Sequence, residues 1–341
     1  MTTTQTSLVH DLGTLAHRLS HPARTPCVCE PPQVLADRPD GTVVRSGVIV
    51  AKAHAADTDR AALTARIALA AAPQLAGILL PPLTAPEPAA PTARPVTLWP
   101  LGAPVDPTDP GAAPWAEAAD LLARLHRTEP PFPLPPMRGP AKAARAVARM
   151  RAALRGDAIT PPRDPAVEPG DATAPPRDPA VLSVLAGWRA LPAWARGEAP
   201  APAPRADALC HGDLHLGQLV RHPAPDGPWL LIDMDDAGVG DPAWDLGRPA
   251  AWYAAGLLAP EDWSTFLDAY RAAGGPAVPA DGDPWPALDV PARALTVQTA
   301  AVALAKCAAE QRDPDDHEQL MIESCARIAT LPPELATGPA S

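Results

Sequence analysis

The sequence predicts an α+β chain of two lobes: a small β-rich N-terminal lobe over residues 1–100 and a larger, mainly helical C-terminal lobe over 101–341. Three observations carry that expectation. The chain has 341 residues, enough for about two packed lobes, because single cores rarely grow much beyond that size before splitting. Strand signals dominate the first hundred residues, and helical spacing of apolar residues dominates from Trp115 onward.

Taken in order, residues 8–22 carry the pattern of a short amphipathic helix, and Pro31-Pro32-Gln33-Val34-Leu35-Ala36 opens an extended segment. Arg38-Pro39-Asp40-Gly41 is a turn signal, followed by Thr42-Val43-Val44-Arg45 and, after a Ser-Gly break, by Val48-Ile49-Val50-Ala51-Lys52. The result is a β-meander that ends in a lysine. Residues 58–72 have helical spacing, and Val96-Thr97-Leu98-Trp99 reads as one more strand before Pro100-Leu101-Gly102. Helices are expected at 115–127, 140–155, 180–195, 243–257, 260–272, 287–311 and 315–330. The strong strand signal in this half is Trp229-Leu230-Leu231-Ile232, with Ala208-Leu209-Cys210 as a short companion.

The 49 prolines and 22 glycines fall in blocks between these stretches, so the blocks read as linkers. One block is duplicated: the phrase Gly156 to Val167 recurs as Gly170 to Val181. Two copies cannot build a stacked repeat, which needs at least three, so 156–181 is predicted to be a mobile surface insertion.

A net charge of −11 argues against a nucleic-acid partner, which needs a basic face, and favours a cationic or neutral small molecule. No secretory signal pattern and no apolar run of membrane-spanning length is present, so a cytoplasmic protein without a membrane partner is expected. The five cysteines (Cys27, Cys29, Cys210, Cys307 and Cys325) match neither a disulfide framework nor a four-ligand zinc site. The chain has three lysines (Lys52, Lys142, Lys306) and no asparagine, the mark of GC-rich coding drift.

The chemistry gathers in His211-Gly212-Asp213-Leu214-His215-Leu216-Gly217-Gln218 and, after a second strand, Ile232-Asp233-Met234-Asp235-Asp236. Each segment sets an acid just past a strand end. Phosphoryl transfer calls for that arrangement, because it depends on positioning and on charge neutralisation by metal ions. One carboxylate orients and deprotonates the attacking hydroxyl; a second, with a neutral oxygen donor, holds magnesium. Asp213, Asp233 and Gln218 supply that set. The spacing His211-x-Asp213-x-His215 also permits zinc or manganese, but a dinuclear phosphoesterase would want an Asn-His pair, and the chain has no asparagine.

Residues 209–246, His-Gly-Asp-Leu-His-x-Gly-Gln followed by Ile-Asp-x-Asp-Asp-Ala-Gly-x-Gly-Asp-Pro-Ala-x-Asp-Leu, resemble the catalytic and metal loops of the aminoglycoside phosphotransferase family, within the protein-kinase-like superfamily. The resemblance implies a bilobal kinase-like fold and ATP- or GTP-dependent, Mg²⁺-dependent transfer of a γ-phosphate to a hydroxyl of an amino sugar, antibiotic or related metabolite. By position it implies Asp213 as catalytic base, Gln218 and Asp233 as metal ligands, and His211, His215, Asp241 and Asp245 as loop-bracing residues, the brace running chiefly through Asp241. Gln218 stands where the family usually has asparagine; its amide oxygen is kept one methylene further out. That feature is also similar to the maltokinase and glucosamine kinase branch, whereas Met234-Asp235-Asp236-Ala237-Gly238 continues in the aminoglycoside manner.

Lys52, at a strand end, is the implied partner of the α- and β-phosphates, and the backbone of Trp99 and Leu101 the implied adenine contact. Asp40-Gly41 is the candidate phosphate-covering turn, since no Gly-x-Gly-x-x-Gly is present. The family adds a glutamate on the next helix to hold the lysine, but no Glu occurs between Lys52 and Glu87; Asp57 and Asp59, near the helix start, are the acids available. Asp235, Asp236, Trp252, Asp262 and Trp263 are candidates for receiving a cationic sugar. A non-catalytic, nucleotide-binding pseudokinase scaffold is the competing reading, and the presence of Asp213 weighs against it.

Overall fold

The computed structural model describes residues 3–21, 30–38, 40–83, 94–155, 178–202 and 207–332. Cys27, Cys29 and residues 156–177 of the duplicated phrase lie outside the described residues.

The N-terminal part is built from helix α1 (Thr3–Ser20), strands β1 (Gln33–Arg38), β2 (Gly41–Ser46) and β3 (Ile49–His54), helix α2 (Arg60–Ala70) and strand β4 (Val96–Pro100). The strands form one antiparallel sheet in the order β1-β2-β3-β4. Leu12 and Ala16 of α1 pack on Val44, Ile49, Ala51, Ala53 and Leu98 of the sheet. Because strand side chains alternate, burying Ala51 and Ala53 on the α1 face turns Lys52 to the other face. Asp59 is used as the cap of α2, its Oδ1 accepting from the amides of Ala61 and Ala62 at 2.9 and 3.1 Å.

The C-terminal part contains β5 (Ala103–Pro104), α3 (Trp115–Arg127), α4 (Gly139–Arg155), α5 (Pro179–Ala190), β6 (Ala208–Cys210), β7 (Leu219–Arg221), β8 (Trp229–Leu231), β9 (Gly238–Gly240), α6 (Ala243–Ala255), α7 (Pro260–Ala272), α8 (Trp285–Glu310) and α9 (Asp316–Ile328). Helix α8 is apolar around most of its circumference and is the spine on which α4, α6 and α9 pack, while α3 packs on α7 and α5 on α9. No described helix is long and apolar enough to cross a membrane. Two small sheets, β5-β7-β8 and β6-β9, form the β island among the helices. Strands β5, β7 and β9 go beyond the sequence reading, because two or three residues are too few to display a period.

Residues 69–83 tie the two parts together. Leu69, Leu75, Ile78 and Leu79 are buried in the core of the helical lobe. The Leu231 amide donates to Ile78 O and the Leu80 amide to Leu231 O, both at 2.9 Å, while the Leu83 amide donates to Leu98 O at 2.8 Å. The duplicated phrase needs one correction: its last residues, 178–181, start helix α5 and are not part of a surface insertion. Asp178 Oδ1 accepts from the Ala180 amide at 2.8 Å and Pro179 occupies the first turn, where its missing N–H costs nothing.

Candidate active site

Strands β6 and β9 lie side by side, with Leu209 opposite Val239, and bring the loop after β6 against the loop after β8. Gly212 is at the touching point. Its φ is +84°, and a Cβ there would lie 2.3 Å from Asp236 O, so only glycine lets the two loops meet.

Beneath this contact runs a buried chain of hydrogen bonds. Asp245 on α6, 1% exposed, accepts the His211 amide on Oδ2 at 2.6 Å and the Gly212 amide on Oδ1 at 2.7 Å. His126 Nε2 donates to Asp245 Oδ2 at 3.0 Å, because an ionised carboxylate only accepts. Its Nδ1 therefore accepts from the Tyr270 hydroxyl at 2.7 Å, which in turn accepts the Ala277 amide at 3.0 Å. Burial works against the Asp245 charge, but the His126 hydrogen bond and the loop amides outweigh it and hold its pKa down. Burial pushes the Tyr270 hydroxyl up, so it stays protonated as the chain requires. The brace expected chiefly at Asp241 thus runs through Asp245; Asp241 Oδ1 accepts the Ala243 amide at 2.9 Å at the start of α6. Cys210 lies with His126 and Asp245 in a cluster of metal-ligand type, but both Asp245 oxygens are already engaged and burial holds Cys210 as the thiol.

Above the brace, His211 Nε2 donates to Ile232 O at 2.8 Å and its Nδ1 accepts the Asp213 amide at 3.3 Å, which joins the two loops again. His215 Nδ1 accepts the Gly217 amide at 3.1 Å. Burial, followed by the nearby Arg248 guanidinium, lowers the His215 pKa to about 4.

The Asp213 carboxylate is held from both sides. Lys142 Nζ of α4 is 2.8 Å from Oδ2, and an Arg248 terminal nitrogen of α6 is 2.6 Å from Oδ1. Burial alone would raise this carboxyl, yet Lys142 and Arg248 hold it at about 2, ionised at any working pH. Lys142 also reaches Asp236 at 2.6 Å, and Arg138 lies 3.7 Å from the same acid.

Lys52 meets a second pair of acids, Asp233 Oδ1 at 2.6 Å and Asp235 Oδ2 at 2.9 Å. Burial works to depress the ammonium, but the two carboxylates outweigh it and its pKa is raised. The lysine partner sought at Asp57 or Asp59 therefore comes from the other lobe. His54, one turn of the pleat beyond Lys52, donates from Nδ1 to Asp235 Oδ2 at 3.2 Å and meets Thr97 Oγ1 through Nε2 at 2.8 Å. Helix α2 presents Arg66, 3% exposed, whose Nε donates to Ala237 O at 2.8 Å. Asp233 has a left-handed backbone, φ +63°, rare for a residue with a Cβ. Gln218 is its neighbour through the backbone, since the Ile232 amide donates to Gln218 O at 2.9 Å.

Packing gives six of the predicted positions a place in the fold. The Leu101 amide donates to Val48 O at 2.8 Å and its carbonyl accepts from His222 Nδ1 at 3.2 Å, so both groups serve the fold and not a ligand. Trp99 pairs with Val50 in the sheet and its indole donates to Thr97 Oγ1 at 3.0 Å. Trp263 is a core residue, 6% exposed and stacked on Tyr253, with no face left for a sugar. Asp235 and Asp236 are already engaged, Asp235 by Lys52 and a hydrogen bond from His54 and Asp236 by Lys142 and Arg138. Asp262 sits in the first turn of α7, where a carboxylate complements the helix dipole. Trp252 alone among these five lines a small recess with His215, Leu216 and Arg248 beside Asp213.

The family model of the phosphotransferase enzyme family matches residues 41–289, which include every group in this cleft. The chain belongs to that family. A search of curated protein sequences gives no match. Among solved structures, a choline/ethanolamine kinase family protein from Mesorhizobium loti is similar at 18% identity and TM-score 0.50, covering 89% of both chains. Choline kinase LicA from Streptococcus pneumoniae is similar at 13% identity and TM-score 0.50, over 88% of this chain and 93% of that one. A thermostable mutant of aminoglycoside phosphotransferase APH(4)-Ia, in a ternary complex with AMP-PNP and hygromycin B, reaches TM-score 0.54 at 13% identity, over 92% and 97% of the two chains. The kinase-like bilobal fold is shared, and this family member is a phosphotransferase acting on a hydroxyl group.

Within that frame, sequence reasoning missed Lys142, Arg248, His126, Tyr270 and Arg66. A signal existed for one of them: Lys142 is among three lysines in the chain and sits on a helix where Arg138, Arg145 and Arg149 share its face. His126 and Tyr270 lie 119 and 25 residues from Asp245, on helices whose pairing only the fold supplies.

Proposed function

We propose that the protein transfers the γ-phosphoryl group of ATP or GTP to a hydroxyl of a small molecule, with Asp213 as the base. The observation that carries this reading is the position of Asp213: ionised, on a loop locked from below by Asp245, and in the same cleft as the Lys52, Asp233 and Asp235 cluster. Asp213 accepts the acceptor's proton as the acceptor oxygen bonds to the γ-phosphorus; the bond from that phosphorus to the β-γ bridging oxygen breaks, and the nucleoside diphosphate leaves. Lys52 exchanges its carboxylate partners for nucleotide phosphate oxygens. Residues 1–100 would be the lobe that covers the nucleotide.

Asp233 and Gln218 offer a carboxylate and an amide oxygen, the hard donors that suit magnesium, and no described side chain bonds the Gln218 amide. When bound, Mg²⁺ would neutralise phosphate charge beside these two residues. The similarity to structures holding AMP-PNP, or ADP with spectinomycin, supports a nucleotide in the cleft. Gln218 supports the sugar-kinase branch as a second reading of the acceptor.

The test is phosphate transfer from ATP and from GTP by the wild type and by Asp213→Ala, across amino sugars, neutral sugars and antibiotics. Transfer that disappears in the variant supports the proposal. Nucleotide binding without turnover in either protein would instead favour the scaffold reading.

A further inference from the structure

The side of the cleft formed by α4 is basic, although the chain as a whole carries a charge of −11. Arg138, Lys142, Arg145 and Arg149 follow one another at spacings of four, three and four residues, which sets them on one face of α4; the Lys142 amide donating to Arg138 O at 2.9 Å shows that the helical turn already includes Arg138. The opposite face, with Ala143, Ala146, Val147 and Met150, is buried. The stripe begins at the base, where Lys142 touches Asp213 and Asp236. It passes Arg145, which lies within electrostatic reach of Asp236 and, across the cleft, of Asp40 in the turn before β2.

Two features separate the stripe from an ordinary solvated helix face. Like charges at these spacings cost an isolated helix roughly 0.2–0.5 kcal/mol per pair, and an exposed face normally relieves that with interspersed acids, whereas α4 has no Asp or Glu. Arg145 and Arg149 also form no ion pair with any described residue. On the other side of the base, Arg248 adds a further cation whose buried Nε has no hydrogen-bond partner among the described residues. Arg138, Lys142, Arg145 and Arg248 thus gather about two carboxylates, Asp213 and Asp236, and Arg149 extends the stripe past Arg145, an excess of positive charge beside the proposed base.

Resting on the phosphotransferase reading, we infer that the acceptor is anionic: a hydroxyl compound bearing a carboxylate or phosphate, held by Arg145 and Arg149 while its hydroxyl meets Asp213. A polycationic aminoglycoside meets like charge along this face. The carboxylate and phosphate classes share the recognition chemistry, planar guanidinium forks that bind two oxygens of an oxyanion.

The test is calorimetric titration at constant ionic strength, with the protein both free and saturated with Mg-AMP-PNP, using 3-phosphoglycerate, gluconate, glucose and kanamycin as probes. The wild type should bind at least one of the two anions tenfold or more tightly than kanamycin or glucose. The double variant Arg145→Gln, Arg149→Gln should weaken that anion at least tenfold and leave AMP-PNP affinity unchanged; both arginines are exposed, so the variant folds. Both anions carry a carboxylate, so tighter binding of 3-phosphoglycerate would show that its added phosphate is recognised, and equal or tighter binding of gluconate would assign the carboxylate. Tighter kanamycin or glucose binding, no saturable binding of either anion, or anion affinity unchanged in the variant would each overturn the inference. Loss of AMP-PNP affinity in the variant would overturn it as well, by moving the stripe to the nucleotide. Failure of AMP-PNP to bind the wild type would count against the phosphotransferase reading alone, because titration of the free protein still reads the anion.

Discussion

The two layers of the active cleft are built on opposite principles. Below, Asp245, His126, Tyr270 and the amides of His211, Gly212 and Ala277 form a closed, buried chain in which each donor meets one acceptor. Above, Lys142 divides itself between Asp213 and Asp236, and Lys52 between Asp233 and Asp235, at side chains that keep 15–37% of their surface in solvent. A closed chain fixes geometry because any change leaves a buried polar group unpaired. A cation shared between two carboxylates can give up one of them for a phosphate while its charge stays paired throughout, and the more exposed acid it leaves, such as Asp233 at 37% exposure, is rehydrated. The lower layer therefore carries shape and the upper layer carries exchange.

The largest effect should come from breaking the lower layer at its centre. Asp245→Ala removes the acceptor for two buried amides and for His126, which costs about 3–5 kcal/mol of stability and the loop geometry with it. Urea unfolding and phosphate transfer should fall together; a folded, fully active variant would end the distinction between the layers. Asp213→Ala cuts only the upper layer. Transfer should drop by about a hundred- to ten-thousand-fold, the usual worth of a general base, while stability falls by only about 2 kcal/mol, because Arg248 loses its carboxylate but Lys142 keeps Asp236. A loss of stability comparable to that of Asp245→Ala would place Asp213 in the brace instead.

The same division explains what the sequence made legible. The residues contributed by one contiguous run, His211 to Asp245, were readable because chemistry and spacing lie together there, and the kinase-like fold and most helices followed from period and motif. What stayed hidden is whatever the fold imports from far away. Lys142, His126 and Tyr270 come from three separate helices, and Lys52 pairs with acids 181 and 183 residues away. Leu101 was misassigned for a related reason: whether a hinge amide is free depends on strand register, which side-chain patterns near Pro100 do not disclose.

Acid should sort the layers by their titrating groups. Asp213 has a folded pKa of about 2, below its unfolded value, so its stabilisation is present above about pH 4 and lost as pH falls toward 2, on the order of 2 kcal/mol in all. His215 is also depressed, to about 4, so the neutral ring favours the fold above its ordinary pKa of about 6.5 and the benefit fades as pH falls from there to 4. Unfolding free energy measured against pH should decline in these two windows. His215→Gln should flatten the upper window alone, and Asp213→Asn the lower; a single window untouched by either substitution would assign the acid sensitivity to other groups.

The smallest effect, and the sharpest test of how far the brace reaches, lies at its outer end. Tyr270→Phe removes the hydroxyl that donates to His126 Nδ1 and accepts the Ala277 amide. Two buried polar atoms lose a partner, which should cost about 1–2 kcal/mol in unfolding free energy. His126 keeps its Nε2 bond to Asp245, and Asp245 keeps both loop amides, so the position of Asp213 is still determined. Transfer by the variant should therefore stay within about threefold of the wild type even as stability falls. A drop beyond tenfold would mean that the orientation of His126, and not only its hydrogen bond to Asp245, is what holds the base in register, and the lower layer would then have to be counted as part of the catalytic geometry from Ala277 inward.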